Sequence, residues 1–120
     1  MIFQFLASII LKKRINSLVL PKFKDTEIIR YKITFSGKVH HVGFREELKI
    51  LAKKIGITGF ARNMKPKMVV AEVQGSQEKI DYLLDVIKNE KRFIIENFKL
   101  ENLELVCNEK EYKINYKVYR

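Results

Sequence analysis

Two side chains are placed to do chemistry together. Arg45 ends the run Gly37-Lys38-Val39-His40-His41-Val42-Gly43-Phe44-Arg45, and Asn63, eighteen positions on, ends Gly59-Phe60-Ala61-Arg62-Asn63. The first run lies between a strand-like and a helix-like segment. Where a loop enters a helix, backbone N–H groups converge, the helix dipole favours an anion, and a guanidinium can hold two phosphate oxygens at once. An amide at the end of a neighbouring strand can hold a water beside that anion. The pair points to phosphoryl chemistry without a metal, with Arg45 and Asn63 as candidate catalytic residues. The candidate phosphate-binding loop is Val39, His40, His41, Val42, Gly43 and Phe44.

Other reactive residues offer less. His40 and His41 are adjacent, and such a pair chelates poorly without a third ligand, so no metal site is expected. They could donate hydrogen bonds to a phosphate, or gain charge at mildly acid pH. Cys107 is the single cysteine, so no internal disulfide can form, and a reducing compartment such as the cytoplasm is expected. No histidine lies near it in sequence to activate the thiol, and it is not read as a nucleophile.

The site residues need elements to hold them. Tyr31, Ile33 and Phe35 alternate with Lys32, Thr34 and Ser36, predicting a strand with one buried face. Phe44, Leu48, Leu51 and Ile55 recur at helical spacing. Glu46 and Glu47 fall in the first turn of that helix and Lys53 and Lys54 in its last, matching the dipole, with Gly56 as the cap. Residues 57–63 read as a short strand, and the Met64-Lys65-Pro66-Lys67 turn leads into another over 68–74. Ser76 is a candidate N-cap for a second helix with the stripe Ile80, Leu83, Leu84 and Ile87. Phe98, Leu100, Leu103 and Leu105 mark a fourth strand, irregular near Asn102; Tyr112, Ile114 and Tyr116 mark a fifth. The order β-α-β-β-α-β-β gives an α+β sandwich, two helices on one face of a sheet.

Residues 1–27 read as an extension ahead of a domain over 28–120. The apolar start from Met1 to Leu11 would make a helix of about 16 Å, against roughly 30 Å of bilayer hydrocarbon, so it is not a membrane span. It lacks the basic start and small-residue cleavage site of a secretory signal. Ile2, Phe5, Leu6, Ile9 and Lys13 share one helical face, predicting an amphipathic helix. That helix could pack on the domain, mediate self-association or lie on a membrane, in that order of preference. Oligomeric state is left open.

The net charge of +10 on 120 residues is spread along the chain: six Lys/Arg against two Asp/Glu in residues 1–30, eighteen against twelve in the rest. Such a field draws phosphorylated metabolites, nucleic acid or an anionic membrane face without choosing among them. A hydrophobic fraction of 47% with 32% charged residues fits one folded domain and excludes a disordered chain.

The blocks resemble the acylphosphatase family over about residues 28–116. The family loop reads Gly-x-Val-Gln-Gly-Val-Gly-Phe-Arg, matched by residues 37–45. Its second block, Gly-Trp-Val-x-Asn, is matched by Gly59-Phe60-Ala61-Arg62-Asn63 at the family's distance from the arginine. Gln74-Gly75 and Tyr112-Lys113-Ile114-Asn115-Tyr116 match two further blocks in order. The resemblance implies a ferredoxin-like two-layer sandwich, with two helices on a five-stranded, mostly antiparallel sheet. It implies hydrolysis of a carboxyl-phosphate anhydride to a carboxylate and inorganic phosphate, with no metal or other cofactor. It also implies that Arg45 binds the phosphoryl group and Asn63 orients the attacking water.

Three departures bear on rate and substrate preference more than on fold. The family's Gln-Gly is His40-His41, which puts rings where glycine would allow close approach of an anion. Its Asp-Gly turn is Pro66-Lys67, and its Trp and Val are Phe60 and Ala61.

A second reading is an acylphosphatase-like anion-binding module with weak or no turnover. The histidine pair and the extension favour it; Asn63 favours the enzyme, because a pure binder needs no water-orienting amide. Nucleic acid is not the expected partner. Related sheets bind RNA through exposed aromatics on central strands, and here Tyr31 and Phe35 share the predicted core face. The expected partners are a small acyl phosphate and inorganic phosphate.

Overall fold

The computed structural model describes residues 10–40 and 42–119, with side chains described as far as Tyr116. Strand β1 (Ile28–Lys38) leads through a loop into helix α1 (Phe44–Ile55), followed by β2 (Thr58–Met64), β3 (Met68–Ser76), α2 (Gln77–Lys88), β4 (Ile94–Leu103) and β5 (Tyr112–Tyr119). The strands form one sheet in the order β4-β1-β3-β2-β5. Neighbours are antiparallel except β2 and β5, which run parallel. This is the ferredoxin-like α+β sandwich that the motif blocks implied.

Both helices bury the stripes their spacing predicts: Phe44, Leu48, Leu51 and Ile55 on α1, and Ile80, Leu83, Leu84 and Ile87 on α2. Helix α1 stops at Gly56, whose φ of 93° suits glycine and whose N–H donates to Ala52 O at 2.9 Å. Helix α2 starts at Ser76, whose hydroxyl accepts from the Lys79 N–H at 3.4 Å.

One cross-strand row fixes the geometry that matters. Phe98 of β4, Phe35 of β1, Val69 of β3 and Asn63 of β2 stand side by side in register. Residues in one row point to the same face, and Phe35 and Val69 are fully buried beneath the helix layer. The Phe44 ring meets Phe35 edge-on at 4.9 Å and Phe93 at 4.8 Å. Burying a phenylalanine contributes about 1.5–3 kcal/mol. Packing therefore pins the start of α1 to the row that carries Asn63.

The fourth strand differs from its sequence reading. It begins at Ile94, and its irregularity lies opposite Ser36 and Gly37, where pairing steps from Asn97 to Ile95. Leu105 falls beyond it, and Leu100, Leu103 and Leu105 are all exposed. An edge strand has one neighbour and little of it is buried, so its apolar spacing does not report its limits.

The chain ahead of the sandwich packs on it. Residues 10–16 are helical, and Leu11 and Ile15 join the buried core, with Leu18, Leu20 and Phe23 packed against it. Lys13, placed on the apolar face by the sequence reading, is exposed. Ile2, Phe5, Leu6 and Ile9 lie outside the described residues. The segment reaches both helices: Lys54 Nζ of α1 donates to Asn16 O at 2.7 Å, and the Phe23 ring meets Tyr82 of α2 at 5.6 Å. Among the described residues, no helix is long and apolar enough to cross a membrane.

Candidate active site

The loop from β1 to α1 is held at its ends by the core. Val39 and Phe44 are buried, so an anion in the loop can meet their backbone but not their side chains. Gly43 caps α1 with left-handed backbone, φ 79° and ψ 19°, and has no side chain to accept from the first turn. The opening N–H groups of α1 are thus left for another acceptor. Val42 is half-buried, and its carbonyl accepts from Arg92 Nη1 at 3.3 Å.

Arg45 follows Phe44 and is half-exposed. Its guanidinium carbon lies 5.4 Å from the centre of the Tyr116 ring, a cation–π contact. Tyr116 belongs to β5 where pairing with β2 slips: Arg62 faces Asn115, but Met64 faces Tyr119. Asn63 is the β2 residue at that slip. The fold therefore brings Arg45 and Asn63 to the same end of the β2–β5 pair.

Asn63 is 7% exposed, and its Oδ1 accepts no hydrogen bond from the described residues. Leaving a buried acceptor unsatisfied costs about 1–3 kcal/mol. Such a cost is characteristic of a group kept for a ligand or a water.

His40 is half-buried, with Nε2 2.6 Å from Met68 O. The carbonyl can only accept, so Nε2 donates. This bond ties the loop to the first residue of β3, beside the turn that follows Asn63. His41 lies outside the described residues.

Sequence reasoning missed a charged cluster behind the loop. Glu47, read as a dipole-matching acid, is fully buried. Its Oε1 accepts from Arg92 Nη2 at 2.7 Å and from Arg14 of the N-terminal segment, while Oε2 accepts nothing from the described residues. Arg14 also donates to Glu90, and Arg92 Nε lies 3.5 Å from the same carboxylate. Burial pushes the Glu47 carboxyl above its ordinary value of 4.5 despite the two arginines, and Glu90 adds to the rise. Glu47 sits three positions from Phe44, inside the apolar stripe, so its spacing does signal burial. Nothing local signals Arg14 or Arg92, and Tyr116, legible as the end of the last motif block, gives no local sign that it meets Arg45.

A cavity of about 540 Å³ lies elsewhere, lined by Gly59, Phe60, Glu109, Glu111 and Lys113 among others. It adjoins the start of β2, whereas Asn63 stands near the strand's other end.

Comparison with known proteins identifies the family and matches the fold. The profile of the family described as Acylphosphatase matches residues 31–114. An acylphosphatase of Clostridium acetobutylicum is 34% identical over 88 residues, covering 72% of this chain and 97% of that protein. One from Clostridium beijerinckii is 31% identical over 90 residues, covering 74% of this chain and all of the relative. Among solved structures, Bacillus subtilis acylphosphatase superposes with a TM-score of 0.67 at 20% identity, over 73% of this chain and 99% of that one, a likeness of fold. Full-length HypF in its phosphate- and nucleotide-bound form gives 0.69 at 25% identity, covering 81% of this chain but only 13% of the larger protein.

The chain belongs to the acylphosphatase family. Membership makes it a hydrolase of acyl phosphates, yielding a carboxylate and inorganic phosphate.

Proposed function

We propose that this chain hydrolyses small acyl phosphates with Arg45 as the phosphoryl-binding group and Asn63 as the group that orients water. The buried Oδ1 of Asn63, without a partner among the described residues, carries the reading, because it stands at the strand-pair end where Arg45 also lies. The loop and the opening N–H groups of α1 surround the phosphoryl oxygens, and Arg45 holds two of them. Asn63 Oδ1 accepts from a water and turns its lone pair toward phosphorus, in line with the bond to the carboxylate. A water-oxygen-to-phosphorus bond forms as the phosphorus-to-acyl-oxygen bond breaks; the electron pair leaves with the carboxylate, and the water's protons pass to phosphate and solvent.

The reaction needs positioning and charge stabilisation more than proton transfer, since its transition state spreads charge over three equatorial oxygens. A carboxylate leaves readily, so no strong general acid is called for. Arg45 and the backbone N–H groups supply the positive charge, and no metal is required. His40 serves the loop as a tether to β3, and the reducing setting suggested by the lone Cys107 is the cytoplasm.

Steady-state hydrolysis of a simple aryl acyl phosphate, with and without EDTA, tests this reading. Turnover should persist unchanged in chelator, and Arg45→Ala should lose nearly all of it together with inhibition by phosphate. A strict divalent-metal requirement, or full activity in Arg45→Ala, would contradict the assignment.

A further inference from the structure

The Glu47 cluster joins three parts of the chain distant in sequence. Arg14 comes from the segment ahead of the sandwich, Glu47 from the first turn of α1, and Arg92 from the connection between α2 and β4. Arg92 divides its guanidinium between two duties. Nη2 donates to Glu47 Oε1, and Nη1 donates to the carbonyl of Val42, inside the loop assigned to phosphate. The same Nη1 would lie 3.3 Å from a Cβ at Gly43, so Arg92 also packs against the glycine that turns the chain into α1.

Arg14 completes the arrangement. It donates to Glu47 on one side and to Glu90 on the other, while Arg92 Nε faces Glu90 and its backbone N–H donates to the same carboxylate at 3.3 Å. Arg14, Glu47, Arg92 and Glu90 thus alternate in a closed ring of opposite charges. Glu47 would be costly to hold buried and ionised with one cation alone; two guanidinium groups offset that cost. Leu11 and Ile15, one helical turn apart and buried in the core, keep Arg14 in place.

We infer that Arg14 and Arg92, acting through Glu47 and the Val42 carbonyl, are positioning residues for the phosphate loop, so that the segment ahead of the sandwich sets the loop's affinity for the phosphoryl group. The inference rests on the proposed function, in which that loop holds the anion. None of the three side chains is assigned contact with substrate. Their effect is on the orientation of the backbone N–H groups from Val42 into α1, where a displacement of about 1 Å can cost up to about a hundredfold in a rate. An exposed surface pair would have no such reach; here the shared carboxylate is fully buried and one guanidinium bonds the loop itself.

The test uses point variants of the full chain, with KM for an aryl acyl phosphate, kcat, and competitive inhibition by inorganic phosphate as readouts. Arg14→Ala and Arg92→Ala should each weaken phosphate inhibition and raise KM by about 5–20-fold while kcat stays within about threefold. Arg14→Lys should recover part of the loss, because an ammonium can hold one carboxylate but not fork across two.

Phe23→Ala provides the comparison for general loosening. It trims the same segment where it packs on Tyr82, and should lower the melting temperature with phosphate inhibition unchanged. Arg45→Ala, run alongside, reports on the underlying site. If Arg45→Ala abolishes phosphate inhibition but Arg14→Ala and Arg92→Ala leave it at the parent level, the positioning role is wrong and the site assignment stands. A rise in KM in Phe23→Ala equal to that in Arg14→Ala would reduce the effect to loosening and overturn the inference. If Arg45→Ala changes nothing, both readings fall.

Discussion

At the scale of single residues, the proposed site depends on groups whose surroundings are unusual for their type. Asn63 is a buried amide whose Oδ1 accepts from none of the described residues, and Arg45 carries a guanidinium at a helix start, where the dipole disfavours a cation. In the proposed site a bound anion would relieve that conflict, and the Tyr116 ring already holds Arg45 by a cation–π contact. His40 is explained by the protein itself, since its ring bonds the first residue of β3. His40→Ala should therefore cost about 1 kcal/mol of stability, the usual net worth of one hydrogen bond. Urea unfolding of the two proteins checks it, and an unchanged midpoint would remove the tether. Sequence alone singled out Arg45 and Asn63 as candidates because their spacing within two glycine-bounded blocks is local information. It missed the burial of Glu47 and the partners Arg14, Arg92 and Tyr116, because those contacts exist only once distant segments meet.

At the scale of elements, both helices and the inner strands were legible, since each buries one regular stripe or face. The limits of strand β4 were not, because an edge strand imposes little alternation, and the strand's bulge answers to Gly37 on its neighbour. The placement of Asn63 rests on β2 lying in register with β3, and Gly59 makes that possible. Its φ is 141°, and an added Cβ would sit 2.0 Å from Glu72 O, a backbone atom that cannot yield. Gly59→Ala should destabilise the protein by well over about 1 kcal/mol and lower kcat, since strand and amide shift together. Thermal melting with parallel kinetics checks this. A variant with parental melting and turnover would show that β2 has slack the register does not suggest.

At the scale of the whole molecule, buried ion pairs make stability depend on pH. Arg30 lies buried on the sheet, bonded to Glu72 at 2.9 Å and to Glu109 at 2.8 Å. Burial alone would raise the Glu109 carboxyl, but Arg30 and Thr58 outweigh it and hold it below its ordinary 4.5. For an acid held low by folding, the contribution is present above about pH 4.5 and is lost as pH falls through the folded value. Glu90, held low against burial by Arg14 and Arg92, has the same sign. Glu47, pushed up, has the opposite sign: its contribution is present at acid pH and lost as pH rises through the folded value. Glu109→Gln should therefore cost about 1–3 kcal/mol at neutral pH and markedly less near pH 3, flattening the acid limb. Denaturant midpoints at the two pH values decide it; an equal loss at both would mean the pair contributes no charge-dependent stability. The net charge of +10 was legible at once but names no partner, whereas the motif blocks point to the family and so to acyl phosphates.

The most direct test of the central claim is the separation of turnover from phosphate binding in Asn63→Ala. An oriented-water role predicts a fall in kcat of about a hundredfold, with inhibition by inorganic phosphate within about threefold of the parent. Turnover within a few-fold of the parent, or loss of phosphate inhibition in step with kcat, would contradict it.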